Sequence, residues 1–195
     1  GGVGFIMEQN YGIDMPNKMR EDFSYFIKDV SDRMHQELKP SEIYDMFQKH
    51  YLNIDTPLKV EDFSIKKKGD KWIGKILLRA GDAEVILEGS GNGQLNAVSN
   101  AVCEAYGIEF TNLAYSEHDL DRDSNSRGIA YIGLTDKDGH TTWGAGVDTD
   151  IITASIFAFM TAINRMDGMA QRVKFRALKS TPDSIAAFKV TSEQY

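Results

Sequence analysis

Apolar residues recur at helical spacing through the first 53 residues of the chain. Met19, Phe23, Ile27 and Val30 follow one another at intervals of three or four, which places them on one face of a helix. A second apolar series follows Pro40, and proline is favoured in the first turn of a helix. Because two or three short helices bury little surface alone, we expect this block to pack against a neighbouring part of the chain.

From Pro57 onward, apolar and polar residues alternate in the manner that is typical of β-strands. Three strands, separated by turns that contain Gly and Asp, precede a helix that begins near Asn92 and ends near Gly107. The same order repeats over residues 108–166 and ends in a strongly apolar helix. The sequence therefore predicts an α+β fold in which a short helical subdomain precedes two tandem units, each of three strands and one helix.

A pair of glycines precedes the helix of each unit. Gly89 and Gly91 are followed 55 residues later by Gly144 and Gly146. The spacing fits neither the dinucleotide fingerprint, which needs a third glycine, nor the phosphate-binding loop, which needs Gly-Lys-Ser/Thr. We interpret GSGNG as a turn that holds a smaller anion, such as the carboxylate of an amino acid. A pseudo-twofold axis would bring both helix N-termini to one apolar cleft, which would suit a zwitterion.

Charge and composition narrow the classes of function. A formal net charge of −7 argues against a surface for nucleic acid or anionic membranes. The hydrophobic content of 42% is ordinary for a soluble domain, and no stretch approaches the roughly 18 to 20 apolar residues of a membrane span. A single cysteine, Cys103, cannot form an internal disulfide, which favours a reducing, cytoplasmic location. We interpret Cys103 as a buried apolar filler of the first long helix.

Residues for catalysis or metal binding do not form a known pattern. The histidines are His35, His50, His118 and His140, and no two of them lie at metal-ligand spacing. Nucleophile motifs such as Gly-x-Ser-x-Gly are missing, and GSGNG puts its serine one place off. The segment from Tyr115 to His118 collects polar groups at a strand end, where it either lines a ligand cleft or simply ends the strand. We therefore expect no catalytic, metal or cofactor site.

Four segments, in this order, resemble one known family. GGVGFIMEQNYGIDMPNKMREDFS, GSGNGQLNAVSNAV, YSEHD and TWGAGVDTDIITASIFAFMTAINR are similar to the C-terminal part of 2-isopropylmalate synthases of the long bacterial type, over about residues 1–166. In that family a TIM barrel binds a divalent metal and condenses acetyl-CoA with 2-oxoisovalerate. A regulatory domain of two βββα units binds leucine, the end product of the pathway, which inhibits the enzyme. The resemblance implies a regulatory fragment without the barrel, which agrees with a chain that begins GGVG instead of Met.

The resemblance also implies where leucine binds. The matching positions lie in the glycine-rich turn, at the start of the following helix, on the first two strands of the second unit, and after Trp143. These residues are Gly91, Asn92, Gly93, Leu95, Asn96, Asn112, Tyr115, Ala130, Val147 and Thr149. The family commonly has proline after Gly-Asn-Gly, whereas this chain has Gln94, which restores a backbone N–H and changes the expected turn geometry.

The resemblance divides the chain into three parts. Residues 1–53 form a helical linker subdomain, residues 54–166 an allosteric amino-acid-binding and dimerisation domain (units about 57–107 and 108–166), and residues 167–195 a tail with one short helix. The polar segment 121–128 is expected to be a solvated connection. The implied partners are L-leucine as effector, a second copy in a homodimer, and the catalytic barrel.

Two other readings stay open at this point. The first is an isoleucine-sensing domain of a citramalate synthase, because one methyl position is worth only about 1–3 kcal/mol of discrimination. The second is a dimerisation scaffold that has lost ligand binding. An independent enzyme is disfavoured because the sequence contains no metal or nucleophile motif.

Overall fold

The N-terminal block is helical in the computed structural model, which describes residues 2–121 and 126–193. Helix α1 spans Gly2–Tyr11, α2 spans Asn17–Met34 and α3 spans Pro40–Tyr51. Proline takes the first position of α3, and the Glu42 carboxylate accepts a hydrogen bond from the Lys39 amide at 3.0 Å, which satisfies a donor at the helix start. The predicted apolar stripe is buried between these helices and the second sheet.

The first unit consists of three antiparallel strands and one helix. Strand β1 spans Lys59–Lys68, β2 spans Lys71–Ala80 and β3 spans Ala83–Gly91, and the strands lie in that order in the sheet. Helix α4, Gln94–Tyr106, packs across the inner face of β2 and β3 and ends at Gly107 in the left-handed conformation.

The second unit repeats this arrangement. Strand β4 spans Asn112–Asp119, β5 spans Gly128–Thr135 and β6 spans Thr141–Asp148, again in sheet order, and helix α5 spans Ile151–Arg165. The predicted α+β fold with two βββα units is thus confirmed. Most of the polar segment predicted before β5 cannot be compared, because residues 122–125 lie outside the described residues.

The inner faces of both units form one apolar core. Ile76 and Val98 of the first unit belong to the same buried cluster as Ile132 and Phe159 of the second. Helices α4 and α5 also contact each other. Because the core is continuous and closely packed, a shift of one helix start can displace the other.

The outer face of the second sheet packs against the N-terminal helices. Ile129, Tyr131 and Trp143 join Phe23 and Phe47 in a second buried cluster. The expectation that the helical block packs against a neighbour is therefore confirmed, and the neighbour is this sheet face. The free edge of β6 is also covered, because the amide that follows Leu52 donates to Ala145 O at 3.0 Å.

The glycine pairs do not form the turns that the sequence suggested. Gly89 and Gly91 lie within β3, as Gly144 and Gly146 lie within β6, and only two residues separate β3 from α4. A Cβ on Gly89 would lie 2.5 Å from the Ala101 amide nitrogen, and one on Gly144 would lie 2.6 Å from a carbonyl oxygen of α5. The glycines therefore allow each helix to approach its own sheet closely.

The tail contains two helices where the sequence predicted one. Helix α6 spans Met169–Arg176 and α7 spans Pro182–Glu193. Gly168 and Ala177, both in the left-handed conformation, flank α6, and Pro182 takes the first turn of α7. Helix α7 lies on the surface and buries little beyond Phe188. Its apolar periodicity is therefore weak, and the sequence did not indicate a second helix.

Within the described ranges, no helix is both long and apolar enough to cross a membrane. Over the same residues, no three His, Cys, Asp or Glu side chains are grouped so that they could hold a metal ion.

Candidate functional site

The first turns of α4 and α5 meet at a cavity of about 440 Å³. Helix α4 contributes its N-cap and first turn, α5 contributes one face of its first two turns, and β2 and β4 each add an aromatic side chain. The lining residues are Trp72, Gly93, Gln94, Leu95, Asn96, Tyr115, Ile152, Ser155 and Ile156. This volume falls within the range of about 300–1,000 Å³ that small-molecule sites occupy.

The start of α4 is the polar end of this cavity. Its N-cap residue is Gly93, which has no side chain to satisfy the first-turn amides, and its backbone is extended with φ −146°. Amides in the first turn of a helix lack intrahelical acceptors and carry partial positive charge. The cavity thus borders donors that suit a carboxylate.

Side-chain hydrogen bonds fix the segment before α4. The Asn92 amide donates to Asn96 Oδ1 at 3.0 Å, and Asn100 Nδ2 donates to Ser90 O at 2.8 Å. Lys71 Nζ donates to Asn92 Oδ1 at 2.8 Å, so a positive charge lies beside the residue that precedes the N-cap. The helix start is therefore held in place before any ligand arrives.

Tyr115 of β4 also lines the cavity. Its hydroxyl donates to a carboxylate oxygen of Glu117 and lies 2.7 Å from Ser155 Oγ on α5. Burial and the hydrogen bond to Glu117 raise the pKa of Tyr115 to about 12, so the hydroxyl stays protonated at neutral pH. Tyr115 is 44% exposed and accessible from the cavity that it lines.

The start of α5 is built differently. Asp150 caps it by accepting from the Thr153 amide at 3.0 Å and from Thr153 Oγ1 at 2.7 Å. Asp148 Oδ2 in turn accepts from the Asp150 amide at 2.9 Å. The Thr153 amide thus already has an acceptor, and α5 contributes the side chains of Ile152, Ser155 and Ile156 to the cavity.

Comparison with known proteins shows to which family the chain belongs. The family model described as LeuA allosteric (dimerisation) domain matches residues 37–167. The chain belongs to this family. It is 43% identical over 166 residues to the 2-isopropylmalate synthase of Desulfitobacterium hafniense, and 36% identical over 174 residues to that of Helicobacter hepaticus. The predicted resemblance is confirmed.

Those matches cover 85% of this chain but only 30% and 31% of the two relatives. The match to the 2-isopropylmalate synthase of Acetoanaerobium sticklandii, 30% identical over 181 residues, likewise spans 31% of that relative. The chain therefore spans about a third of the length of the curated relatives that it matches.

Within the LeuA allosteric domain, the structure brings several of the predicted site residues together. Gly93, Leu95, Asn96 and Tyr115 all line the cavity between α4 and α5. Asn92 lies immediately before the N-cap, where it binds Lys71 and Asn96. Gly91 is buried against Asn96, because a Cβ there would overlap that side chain.

The other predicted residues lie away from this cavity. Asn112 and Tyr115 are three positions apart on one strand, so their side chains point to opposite faces of the sheet. Ala130 is buried beneath α5, and Thr149 is exposed on the bend before that helix. Val147 faces the N-terminal helices, and its amide donates to Asn53 Oδ1 at 3.1 Å.

Five lining residues were missed: Trp72, Gln94, Ile152, Ser155 and Ile156. Trp72 reaches the cavity because β2 and β3 form a hairpin whose register sets Trp72 opposite Gly91. The two-residue turn between Ala80 and Ala83 fixes that register, so it was a signal that the sequence analysis did not use. The spacing of Ile152, Ser155 and Ile156 on α5 does indicate one helix face, and it could have been matched to the start of α4.

A larger open groove of about 1080 Å³ runs along α4 towards the β5–β6 turn. It shares Leu95 and Asn96 with the smaller cavity, and Cys103 lines it. Cys103 is partly buried, since it packs against the apolar core and also lines this groove, and its burial raises the pKa of the thiol.

Proposed function

We propose that this chain is the leucine-sensing regulatory part of a 2-isopropylmalate synthase, and that leucine binds in the cavity between α4 and α5. The observation that carries the proposal is the meeting of two unlike surfaces at one cavity. One surface is the first turn of α4, whose glycine N-cap leaves amide donors available, and the other is an apolar wall that includes Trp72 and Ile152. Leucine presents the two complementary surfaces.

In this arrangement the carboxylate of leucine lies against the amides at residues 93–96. Charge-assisted hydrogen bonds to amides are stronger than neutral ones, and the helix dipole adds to them. Lys71, held by Asn92 next to the N-cap, contributes further positive potential. The isobutyl side chain then contacts Leu95, Ile152 and Ile156.

Inhibition requires that leucine bind one state of the parent enzyme better than another. The coupling cannot exceed that difference in affinity, which is typically about 1–3 kcal/mol. Helices α1–α3 are the proposed lever because they pack on the outer face of the second sheet, whose inner face carries α5. A shift of α5 on ligand binding would be passed through that sheet to the helices.

The parent enzyme would condense acetyl-CoA with 2-oxoisovalerate on a catalytic barrel outside this chain and act in the cytoplasm as a homodimer. Support comes from the relatives named 2-isopropylmalate synthase and from the family described as a dimerisation domain. We assign residues 1–53 to a linker subdomain, 54–166 to the regulatory domain, and 167–195 to a tail.

Isothermal titration calorimetry of this chain with leucine, isoleucine and valine tests the proposal. We expect micromolar binding of leucine and weaker binding of the other two. Preference for isoleucine would indicate the isoleucine-sensing domain of a citramalate synthase. Binding of none of the three would favour a dimerisation scaffold.

A substitution at the N-cap locates the site. Gly93→Asp puts a negative charge where the carboxylate is proposed to lie, and we expect leucine affinity to fall by about tenfold or more, equivalent to about 1.4 kcal/mol. Gly93→Ala is the matched control because an added Cβ meets no described atom within 4 Å and φ is ordinary. If a folded Gly93→Asp chain binds leucine as the wild type does, the site lies elsewhere.

A further inference from the structure

Glu117 places a carboxylate next to Tyr115, a residue that lines the cavity, and the contacts proposed above give it no role. Its oxygen accepts from the Tyr115 hydroxyl, and that tyrosine lines the cavity. Glu117 and Tyr115 are two residues apart on β4 and therefore lie on the same face of the sheet. Among the described residues, the ion pairs do not include Glu117.

The two units bring opposite charges close to the cavity. Lys71 of the first unit contacts Asn92 beside the N-cap of α4, and Glu117 of the second unit contacts the Tyr115 hydroxyl. A ligand cation that contacts the Tyr115 hydroxyl would be about 5 Å from the Glu117 carboxylate, the sum of two hydrogen-bond lengths. At that distance opposite charges attract appreciably even near solvent.

We propose that Glu117, positioned by the Tyr115 hydroxyl, recognises the ammonium group of the effector and makes the site select an amino acid over the 2-oxo acid with the same side chain. The inference rests on the proposed function and names the chemistry by which that site discriminates. A 2-oxo acid keeps the carboxylate and the side chain but replaces the ammonium with a carbonyl oxygen of partial negative charge. That oxygen would face Glu117 without compensation, which is an effective way to reject a ligand.

The selection has a chemical purpose. A sensor of a branched-chain amino acid works among 2-oxo acids of closely related shape, since transamination interconverts the two classes. The apolar wall formed by Leu95, Ile152 and Ile156 contacts only the side chain, so it cannot tell them apart. The ammonium group is the feature that differs, and Glu117 is the anion that the structure places within its reach.

The test compares L-leucine with 4-methyl-2-oxopentanoate by calorimetry on this chain and on Glu117→Gln. The amide is isosteric and still accepts from Tyr115, so the fold should not change. We expect Glu117→Gln to bind leucine about tenfold more weakly, a modest loss because the side chain is exposed, and to bind the 2-oxo acid equally well or better. Glu88→Gln, an exposed glutamate on the outer face of the first sheet, is the matched control and should change neither affinity.

Equal weakening of both ligands would mean that Glu117 acts only on the structure of the wall, and unchanged leucine affinity would mean that it does not contact the effector. Either result overturns this inference and leaves the proposed function intact. A wild-type chain that binds no leucine overturns the proposed function, and this inference with it.

Discussion

The two βββα units share one order of elements but have different surroundings. In the second unit, β5 is buried from Gly128 to Leu134 because α5 covers one face of the sheet and the N-terminal helices cover the other. In the first unit, the outer face carries exposed lysines, and the described segment that lies against it is α7 with the residues just before it. The same architecture therefore serves as a buried framework in one copy and as a partly open surface in the other.

The helix starts differ in the same way. Asp150 caps α5 with its own side chain, whereas Gly93 leaves the amides of α4 without a side-chain cap from the N-cap residue. A capping side chain occupies one of the first-turn amides, which a glycine N-cap leaves available. We infer that the first unit supplies the helix start that suits a carboxylate, and that the second unit supplies the Tyr115–Glu117 pair. Both units contribute to the apolar wall.

The largest expected difference concerns the outer faces of the two sheets. Trp143 is 4% exposed and packs over Gly133, between the second sheet and the helical block. We expect Trp143→Ala to lower the free energy of unfolding by about 3–5 kcal/mol, as large-to-small core substitutions do. Urea-induced unfolding followed by circular dichroism measures this loss.

Phe188→Ala is the corresponding change on the first sheet. Phe188 belongs to α7 and is buried on the side of the first sheet, but α7 lies near the described end of the chain and can separate locally. We expect a loss of less than about half that of Trp143→Ala. Equal losses in the free energy of unfolding would show that both outer sheet faces are covered to the same degree, which would contradict the comparison.

A smaller effect is expected at the C-terminal end of α4. Arg172 Nη1 donates to Gly107 O at 2.6 Å and to Tyr106 O at 3.1 Å, and Arg176 Nη1 donates to Ala105 O at 3.2 Å. These arginines satisfy carbonyls that the helix leaves unpaired and oppose its negative end. The double change of both arginines to alanine should therefore destabilise the chain by about 1–2 kcal/mol in the same unfolding assay.

The control for that change is Arg33→Ala, which removes an exposed pair with Asp29 within α2. Such a pair contributes at most about 0.5 kcal/mol. A double arginine variant that behaves like this control would mean that α6 does not brace α4.

The smallest effects are expected at the two helix starts. Asp150→Ala removes the cap of α5 and should lower stability by about 1 kcal/mol. Gly93→Asn adds a cap to α4, and a gain of a few tenths of a kcal/mol is expected. Thermal unfolding measures the direction of both changes in stability. A loss of stability in Gly93→Asn would show that the first-turn amides of α4 already have acceptors.

Sequence periodicity located nearly all of the regular elements. The alternation in β1 and the spacing of Met19, Phe23 and Ile27 are local signals, and local signals decide whether a segment is strand or helix. Periodicity did not reveal both helices of the tail because α7 has only a weak apolar stripe. The position of α7 depends on its packing against the first sheet.

The candidate site was predictable only in part. Leu95, Asn96 and Tyr115 were placed by a family resemblance, and the structure gathers them at one cavity. Trp72 and Ser155 were not placed, although the β2–β3 turn and the spacing on α5 carry signals for them. The sequence does not show that the two helix starts meet at one cavity. The remaining predicted residues that lie elsewhere, such as Asn112 and Val147, stay predictions that calorimetry on their variants can test.

The sequence by itself determined the order and type of the elements, the duplication, and the glycine pairs of each unit, because all of these are written in residues close along the chain. Only the tertiary structure decided what those glycines do. Gly89 and Gly144 lie in strands and let a helix backbone approach, whereas Gly93 leaves a helix start open to a cavity. Because glycine has no side chain, its role depends on the atoms that packing brings next to its backbone.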